Sequence, residues 1–216
     1  MKILITGMAG FVGFHVARRL VSAGHDVVGL DSLVPYYTLD LKRARLAELG
    51  DSVSFHEIDI SNAEAVSALM DTESPDVVVH LAAQPGVRYS IDKPFEYASA
   101  NLVGHLSILA ACRHAKGLSH LVCASSSSGY GETSTVPFSE FEPANDPVSL
   151  YGATKRCDEL MSSSYAHLYG IRQLGLRFFT VYGSWGRPDM AYWTFAQKMF
   201  DGEPIHIYNN GEMRRD

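Results

Sequence analysis

The sequence contains few cysteines. Only three of its 216 residues are cysteine, Cys112, Cys123 and Cys157, and no two of them have the spacing of metal ligands. A disulfide-stabilised scaffold would contain more cysteines, in an even number. We therefore expect a reducing, cytoplasmic environment, no disulfide framework and no metal site.

An excess of positive charge and a long hydrophobic run are also absent. Lys and Arg total 18 against 24 Asp and Glu, a formal net charge of −6, which argues against nucleic acid or an anionic membrane as the main partner. No run reaches the roughly 18 apolar residues that span a bilayer. Residues 1–16 are apolar but contain glycines and lack a small-residue cleavage site. They fit a buried strand better than a signal peptide, so we expect a soluble protein.

Short β-branched runs alternate along the chain with longer helical patterns. Hydrophobic residues make up 46% of the sequence, enough for one sizeable core and the start of a second domain. Strands are predicted at 2–6, 26–30, 53–58, 76–81, 120–124 and 172–178. Helices are predicted at 11–23, 41–49, 62–70, 94–115 and 150–168, followed by a helix at 192–200, a strand at 205–208 and a turn at 209–211. The alternation predicts an α/β fold with a doubly wound parallel sheet and helices on both faces.

A glycine-rich segment follows the first predicted strand and opens the first helix. Gly7, Gly10 and Gly13 frame it, with Phe11 and Val12 between the last two. Glycines allow a sharp turn, close approach of a pyrophosphate to the backbone and tight helix–strand packing. The N-terminus of the helix then presents free N–H groups to the phosphates. An ordinary turn is the alternative, but the strand before and the helix after favour a dinucleotide site.

An acidic residue, Asp31, ends the second predicted strand. A carboxylate at this place can accept both hydroxyls of an adenosine ribose and would repel the additional phosphate of NADP, so NAD is the expected cofactor. A solvated turn residue is the alternative. Asp59 and Ile60 follow the third strand, where they can contact the adenine edge, although Asp59 is equally suited to cap the next helix.

Tyr151 and Lys155 lie four residues apart, on one face of a predicted helix. A free tyrosine has a pKa near 10, and a lysine one turn away, with the positive charge of an oxidised nicotinamide, favours the phenolate that a general base needs. Such pairs are common on exposed helices, but this one follows the fifth strand. Serines 125–128 leave the carboxyl end of that strand, where ligands bind. They can hold a sugar and share a proton with Tyr151, or form only a polar turn.

Together these segments resemble the extended short-chain dehydrogenase/reductase family, specifically its nucleotide-sugar epimerases and dehydratases. The resemblance covers nearly the whole chain and rests on GMAGFVG at 7–13, Asp31, LAAQ at 81–84, SSSSGYG at 125–131, YGATK at 151–155 and LRFFTVYG at 176–183. Within the family, three segments resemble the UDP-glucuronate 4-epimerase branch: QPGVRYS at 84–90, GRPDMA at 186–191 and NGEMRRD at 210–216.

The resemblance implies roles for the residues that match the family motifs. It implies that Tyr151 is the catalytic base, that Lys155 holds the nicotinamide ribose and lowers the tyrosine pKa, and that Ser126 bridges Tyr151 to the sugar. The implied NAD contacts are Gly7, Gly10, Phe11, Val12, Gly13, Asp31, Asp59, Ile60, Leu81, Ala82, Ala83, Tyr151 and Lys155. The implied substrate contacts are Arg88, Ser126, Ser127, Ser128, Thr180 and Arg187.

The implied activity is NAD-dependent 4-epimerisation of a UDP-hexuronic acid, UDP-glucuronate to UDP-galacturonate, by transient oxidation at C4. Dehydratases of the family carry an Asp-Glu pair where this chain has Ser127 and Ser128, which disfavours dehydration. These serines and Thr180 can hold the uronic carboxylate, with charge from Arg187 or Arg88. The alternatives are a UDP-glucose 4-epimerase or related dehydratase, and a non-catalytic NAD-binding module.

The resemblance also implies a shortened chain that forms a homodimer. Family members are longer, so we expect a Rossmann-like NAD-binding domain at 1–180 and the beginning of a nucleotide-sugar domain at 181–216, with about a third of the usual length absent. The expected dimer interface is a four-helix bundle built from the helices at 94–115 and 150–168. His80 and Asn101 are expected to have structural roles.

Overall fold

The fold is built on one parallel β-sheet. We describe a computed structural model, which covers residues 1–131 and 137–212. The strands are β1 (Lys2–Thr6), β2 (Asp26–Asp31), β3 (Ser54–Glu57), β4 (Val77–His80), β5 (His120–Ser126) and β6 (Gln173–Phe178). Their order is β3-β2-β1-β4-β5-β6, with every neighbouring pair parallel. The predicted Rossmann-like, doubly wound sheet is confirmed.

Helices connect the strands and follow the last one. They are α1 (Phe11–Ser22), α2 (Leu39–Leu49), α3 (Ala63–Glu73), α4 (Tyr89–Asp92), α5 (Pro94–Tyr97), α6 (Gly104–His114), α7 (Leu150–Tyr169) and α8 (Ala191–Asp201). None of the helices in the described ranges is long and apolar enough to cross a membrane.

The core has two layers because the side chains of the central strand alternate between the faces of the sheet. Leu4 packs with residues of α3 and α6, such as Val66 and Ile108. Its neighbours Ile3 and Ile5 face the other way and pack with α1 residues, including the fully buried Phe14. Each large apolar side chain buried in this way contributes about 1.5–3 kcal/mol relative to an exposed one.

Local signals fix where the helices begin and end. The Asn62 side chain accepts the N–H of Ala65 at 3.1 Å and caps α3. Ser149 accepts the N–H of Gly152 at 3.0 Å and caps α7. At the other end of α7, Gly170 adopts a left-handed conformation with φ of 68°, which glycine reaches without strain. The α7 cap therefore places Tyr151 in the first turn of its helix.

The helix predicted at 94–115 is confirmed as one helical run from Pro94 to His114, in which a π-helical segment, Ala98–Val103, joins α5 to α6. One sequence expectation is wrong: the strand predicted at 205–208 does not form. No strand of the described sheet lies beside it to share backbone hydrogen bonds, and Tyr208–Gly211 forms a 3-10 turn. Residues 213–216, part of the branch motif predicted at 210–216, lie outside the described residues.

Candidate functional site

A cavity of about 310 Å³ lies at the carboxyl ends of the strands. In open α/β sheets ligands bind at this edge, where the strand order reverses; here β1 has β2 on one side and β4 on the other. The structure brings the predicted cofactor residues to this cavity: Gly7, Gly10, Phe11, Val12, Gly13, Asp31, Asp59, Ile60, Leu81, Ala82, Ala83, Tyr151 and Lys155.

The glycine segment forms a close-packed backbone cradle. Gly7 has a φ of 73°, and a Cβ there would lie 2.8 Å from the Ala82 nitrogen. A Cβ on Gly13 would overlap the Gly7 carbonyl oxygen. Gly10 precedes α1 without a side-chain cap, and the first turn of α1 has no acidic residue. The uncapped N–H groups of that turn fit the phosphates of a dinucleotide.

Asp31 is buried at the end of β2, with 7% of its surface exposed. Its Oδ1 accepts the backbone N–H of Leu33 at 2.9 Å, and Lys42 Nζ lies 3.4 Å from the same oxygen. Both of these contacts use Oδ1, so neither of them occupies Oδ2, which can accept a hydrogen bond from a ligand hydroxyl. Sequence reasoning missed Lys42, because its approach depends on the loop between β2 and α2.

Asp59 and Ile60 line the same cavity, just after the end of β3. Asp59 Oδ1 accepts the N–H and the hydroxyl of Ser61, each at 2.8 Å. The alternative role of Asp59 as the cap of the next helix is wrong, because Asn62 caps α3. Ile60 is 5% exposed and packs against Gly104, where a Cβ would lie 2.6 Å from the Ile60 side chain.

The end of β4 is held by polar side chains from neighbouring elements. Thr6 Oγ1 accepts the N–H groups of Leu81 and Ala82 at 3.1 and 3.0 Å, and lies 2.7 Å from His80 Nδ1. Burial holds the pKa of His80 well below its ordinary value. The imidazole is therefore neutral at pH 7 and packed in the core, as expected.

Asn101, in the π-helical segment, bridges two walls of the cavity. Its Oδ1 accepts the N–H of Gln84 at 2.7 Å, and its Nδ2 donates to Gln84 O at 3.2 Å and to Thr154 Oγ1 at 3.0 Å. This connects the segment after β4 to α7. The structural role expected of Asn101 is consistent with these contacts.

Tyr151, Lys155 and Ser126 line the same cavity. Lys155 is 3% exposed, and its ammonium donates to Ala124 O and Asp158 Oδ2, both at 3.1 Å. Ser126 Oγ accepts the N–H of Ser128 at 3.1 Å. The arrangement places a phenol, an ammonium and a hydroxyl around one space, the groups needed for proton transfer to and from a sugar hydroxyl.

The predicted substrate residues divide into two groups. Thr180, Arg187 and Ser126 line the cavity, whereas Ser127, Ser128 and Arg88 are not among its lining residues. The two serines belong to a 3-10 turn after β5, and Arg88 is exposed at the start of α4.

Arg187 is held by groups from two loops. Its Nε donates to Asp189 Oδ1 at 3.0 Å, and its guanidinium lies 5.6 Å from the centre of the Tyr36 ring. Tyr36 donates its hydroxyl to Asp189 Oδ2 at 2.9 Å. Burial and Asp189 raise the pKa of Tyr36 to about 12, so the hydroxyl keeps its proton and remains a donor.

A family model decides the relationship of this chain to known proteins. Residues 3–216 match the NAD dependent epimerase/dehydratase family. The chain belongs to this family. The match confirms the resemblance found in the sequence, and the family description confirms the expected cofactor, NAD.

Similar proteins include UDP-sugar 4-epimerases, two of them with solved structures. A probable UDP-glucuronate 4-epimerase from Rhizobium meliloti (strain 1021) is 48% identical over 218 residues, covering 100% of this chain and 64% of the relative. UDP-glucuronic acid 4-epimerase from Bacillus cereus, solved with UDP-glucuronic acid and NAD, has a TM-score of 0.90 at 38% identity, covering 100% of this chain and 68% of that one. UDP-glucose 4-epimerase from Thermotoga maritima, solved with UDP-glucose, has a TM-score of 0.90 at 32% identity, with the same coverages.

The match covers the whole of this chain but only part of each relative. The chain spans between about half and two thirds of the length of the curated relatives it matches. All of the matched cavity residues discussed above nevertheless lie within it.

One buried residue of this epimerase-family chain was missed by sequence reasoning. Arg45, on α2, is fully buried, and its Nη1 donates to Ala9 O at 2.9 Å and to the Tyr37 hydroxyl at 2.6 Å. Its Nη2 donates to Trp185 O at 2.6 Å. Arg45 therefore connects the glycine segment with the loop after β6. No motif marks it, because two of its partners are backbone carbonyls distant in sequence, Ala9 O and Trp185 O.

Proposed function

We propose that this chain is the NAD-binding part of a UDP-glucuronate 4-epimerase. The observation that carries the proposal is the shared cavity: the glycine cradle and Asp31 lie at one side of it, and Tyr151, Lys155 and Ser126 line it as well. The Bacillus cereus structure adds support, since that similar protein binds UDP-glucuronic acid and NAD.

Each residue has a defined task in this reaction. Tyr151, as the phenolate, takes the proton of the sugar 4-hydroxyl and returns a proton to that oxygen after the configuration at C4 has inverted. Lys155 favours the phenolate through its positive charge, and Ser126 holds the 4-oxygen. When bound, NAD would supply the hydride chemistry, accepting the C4 hydride and returning it to C4 in the same cycle. Asp31 holds the adenosine ribose.

A uronic acid is the substrate that best fits the part of the cavity lined by Thr180 and Arg187. Thr180 and Arg187 line the cavity and together provide a hydroxyl and a guanidinium for a carboxylate. Because Asp189 already pairs with Arg187, the substrate carboxylate would share that cation. UDP-glucose is the second candidate, favoured by the Thermotoga maritima structure with UDP-glucose.

The experiment is a turnover assay with matched substrates. The purified chain is incubated with UDP-glucuronate and NAD, and the change at C4 is followed by proton NMR, with UDP-glucose in parallel. We expect UDP-galacturonate from the first and nothing from the second, and a loss of about a hundredfold or more in Tyr151→Phe. Turnover of UDP-glucose alone would favour the second candidate. NAD binding without turnover of either sugar, both by this chain and by a chain extended with the C-terminal part that its relatives carry, would indicate a non-catalytic NAD-binding module.

We also infer the domain boundary and assembly expected from the family. Residues 1–180 form the NAD-binding domain, and 181–216 begin a nucleotide-sugar domain. The chain pairs through α6 and α7, which expose large apolar side chains such as Leu106 (42%) and Leu160 (55%). Sedimentation of the chain and of a Leu160→Glu variant tests this, with a dimer expected only for the first.

A cytoplasmic location is part of the same proposal. The three cysteines are free, and burial raises the pKa of Cys112 and of Cys123 to about 12. Both therefore remain protonated thiols at neutral pH. Fractionation of cells that express a tagged chain tests the location.

A further inference from the structure

A carboxylate that the proposed mechanism does not use lies beside Lys155. Asp158 follows Lys155 by one turn on α7, and only 3% of its surface is exposed. Its Oδ2 accepts the Lys155 ammonium at 3.1 Å. Its Oδ1 is buried and has no hydrogen-bond partner in the part of the chain that the structure describes. Burying a half-satisfied carboxylate costs free energy, so this acid is expected to have a role that a neutral residue would not fulfil.

The groups packed around Asp158 come from three elements. On α7 they are Lys155 and Glu159, on α6 His105 lies close to the Asp158 backbone, and on β5 Cys123 lies close enough to interact with the carboxylate. Burial lowers the pKa of His105 to about 3 and raises that of Cys123 to about 12, so both are neutral at pH 7. Among these four groups, Lys155 is the one cation.

We propose that Asp158 is a positioning residue that fixes the Lys155 ammonium beside the cavity and offsets part of its charge, so that it sets the pH at which Tyr151 becomes a phenolate. This inference deepens the proposed function and rests on the roles assigned there to Tyr151 and Lys155.

The positioning role of Asp158 follows from the hydrogen bonds that the Lys155 ammonium donates. A lysine ammonium has three N–H donors. Two of them reach Ala124 O and Asp158 Oδ2, which leaves one for a ligand in the cavity. Asp158 and Ala124 together therefore select the orientation in which Lys155 meets the cofactor.

The electrostatic effect of Asp158 on Tyr151 follows from the distance between these two residues along α7. Burial raises the pKa of Asp158 to about 6, although Lys155 acts to lower it. The carboxylate is therefore ionised throughout the range in which a tyrosine titrates. The backbone positions of Tyr151 and Asp158 are about two helical turns, roughly 10 Å, apart along α7. Removing a unit charge at that distance lowers the pKa of a tyrosine by about one unit at the effective dielectric constant of a protein.

The experiment measures the pKa of Tyr151 directly and needs no turnover. The full chain is labelled with ¹³C at the Cζ of tyrosine, and the Tyr151 resonance is assigned as the one lost in Tyr151→Phe. Its shift is then followed with pH in the native chain and in Asp158→Asn, which keeps the size of the side chain and an oxygen acceptor for Lys155. We expect the Tyr151 pKa to fall by about one unit in Asp158→Asn.

Two further variants set the controls. Asp158→Glu keeps the charge and is expected to leave the Tyr151 pKa within a few tenths of the native value. Lys155→Met removes the cation and is expected to raise the pKa of Tyr151. Asp158→Ser replaces Asp158→Asn in the comparison if the latter does not fold.

The outcomes separate this inference from the proposed function. A folded neutral variant whose Tyr151 pKa is unchanged or raised would overturn the role of Asp158, whatever the turnover assay shows. Conversely, a lowered pKa supports the role of Asp158 even if the chain turns over neither UDP-glucuronate nor UDP-glucose.

Discussion

Arg177 on β6 and Glu159 on α7 form a bidentate ion pair. Arg177 Nε donates to Oε1 at 2.8 Å, and Nη2 donates to Oε2 at 2.9 Å. The same carboxylate accepts the Ser125 hydroxyl at 2.6 Å and Arg156 Nη1 at 2.8 Å. Ser125 directly precedes Ser126, which lines the cavity. The ion pair therefore connects the edge strand β6 and helix α7 to the serines at the end of β5.

Glu159→Gln is expected to destabilise the fold by about 1–3 kcal/mol at pH 7, because two guanidinium groups lose their anion. Although burial favours the neutral acid, hydrogen bonds from Arg177, Ser125 and Arg156 lower the pKa of Glu159 to about 2. The stability from this carboxylate is thus present above the unfolded-state pKa and is lost as the pH falls through that value toward 2. Urea unfolding of both proteins across this range measures the difference.

The control for this prediction is Glu48→Gln, since Glu48 is an exposed glutamate on α2. It is expected to change the free energy of unfolding by less than about 0.5 kcal/mol. If Glu159→Gln were no more destabilising than Glu48→Gln, the pair with Arg177 would contribute nothing to the fold.

Gly13→Ala is expected to destabilise the chain by about 1–3 kcal/mol and to weaken NAD binding at least about tenfold. The added methyl group would overlap the Gly7 carbonyl oxygen, so the cradle must open to admit it. Calorimetric titration with NAD and thermal unfolding measure both effects. The matched control is Gly175→Ala on β6, where a Cβ meets nothing within 4 Å. Equal NAD affinity in the two variants would show that the cradle does not hold the dinucleotide.

The sequence was sufficient for those parts of the fold that local patterns determine. The strand–glycine–helix order at Gly7–Gly13 and the acid at Asp31 are contiguous signals, and the sheet order follows from the β-α alternation. The i, i+4 pair of Tyr151 and Lys155 is likewise readable because the helix places both on one face. The structure brings all of these residues to one cavity.

The remaining features depend on contacts between distant segments. Arg45 and Lys42 reach their partners across a loop, and Tyr36 meets Asp189 over a separation of 153 residues. No periodicity marks such contacts. The π-helical segment Ala98–Val103 has the same apolar pattern as an α-helix, so periodicity alone cannot distinguish the two.

Arg45→Lys is expected to destabilise the fold by about 2–4 kcal/mol. A lysine cannot span the acceptors that the fork of Arg45 satisfies, Ala9 O, the Tyr37 hydroxyl and Trp185 O, and buried carbonyls without donors are costly. NAD binding is expected to weaken as well, because Ala9 belongs to the glycine segment. Chemical unfolding and calorimetric titration measure these changes.

Arg43→Lys is the matched control for this prediction, as Arg43 is exposed on the same helix. It is expected to leave both quantities nearly unchanged. Similar stability of the Arg45→Lys and Arg43→Lys variants would contradict the connecting role of Arg45.

His105→Gln is expected to flatten the loss of stability that acid causes. Burial, and to a lesser extent Lys155, lowers the pKa of His105 to about 3 in the folded chain, against about 6.5 when unfolded. The unfolded chain therefore binds the proton first, so stability is intact above about pH 6.5 and falls as the pH drops toward 3. At pH 5 the loss attributable to this one histidine is about 2 kcal/mol. Glutamine cannot titrate and keeps a polar group near Ser162, whose hydroxyl lies 2.8 Å from His105 Nε2.

The free energy of unfolding is measured at about pH 7 and pH 5 for the native chain and for His105→Gln. Comparing the change between the two pH values removes any effect of the substitution on stability that does not depend on pH. Asp158 changes the stability with pH in the opposite direction, because burial raises its pKa to about 6 and its contribution to stability is lost as the pH rises. Both proteins contain Asp158, so its contribution cancels in the comparison. His114→Gln, at an exposed position of the same helix, is expected to retain the native slope. A His105→Gln variant that loses as much stability as the native chain over this range would mean that His105 binds its proton equally well in the folded and unfolded states.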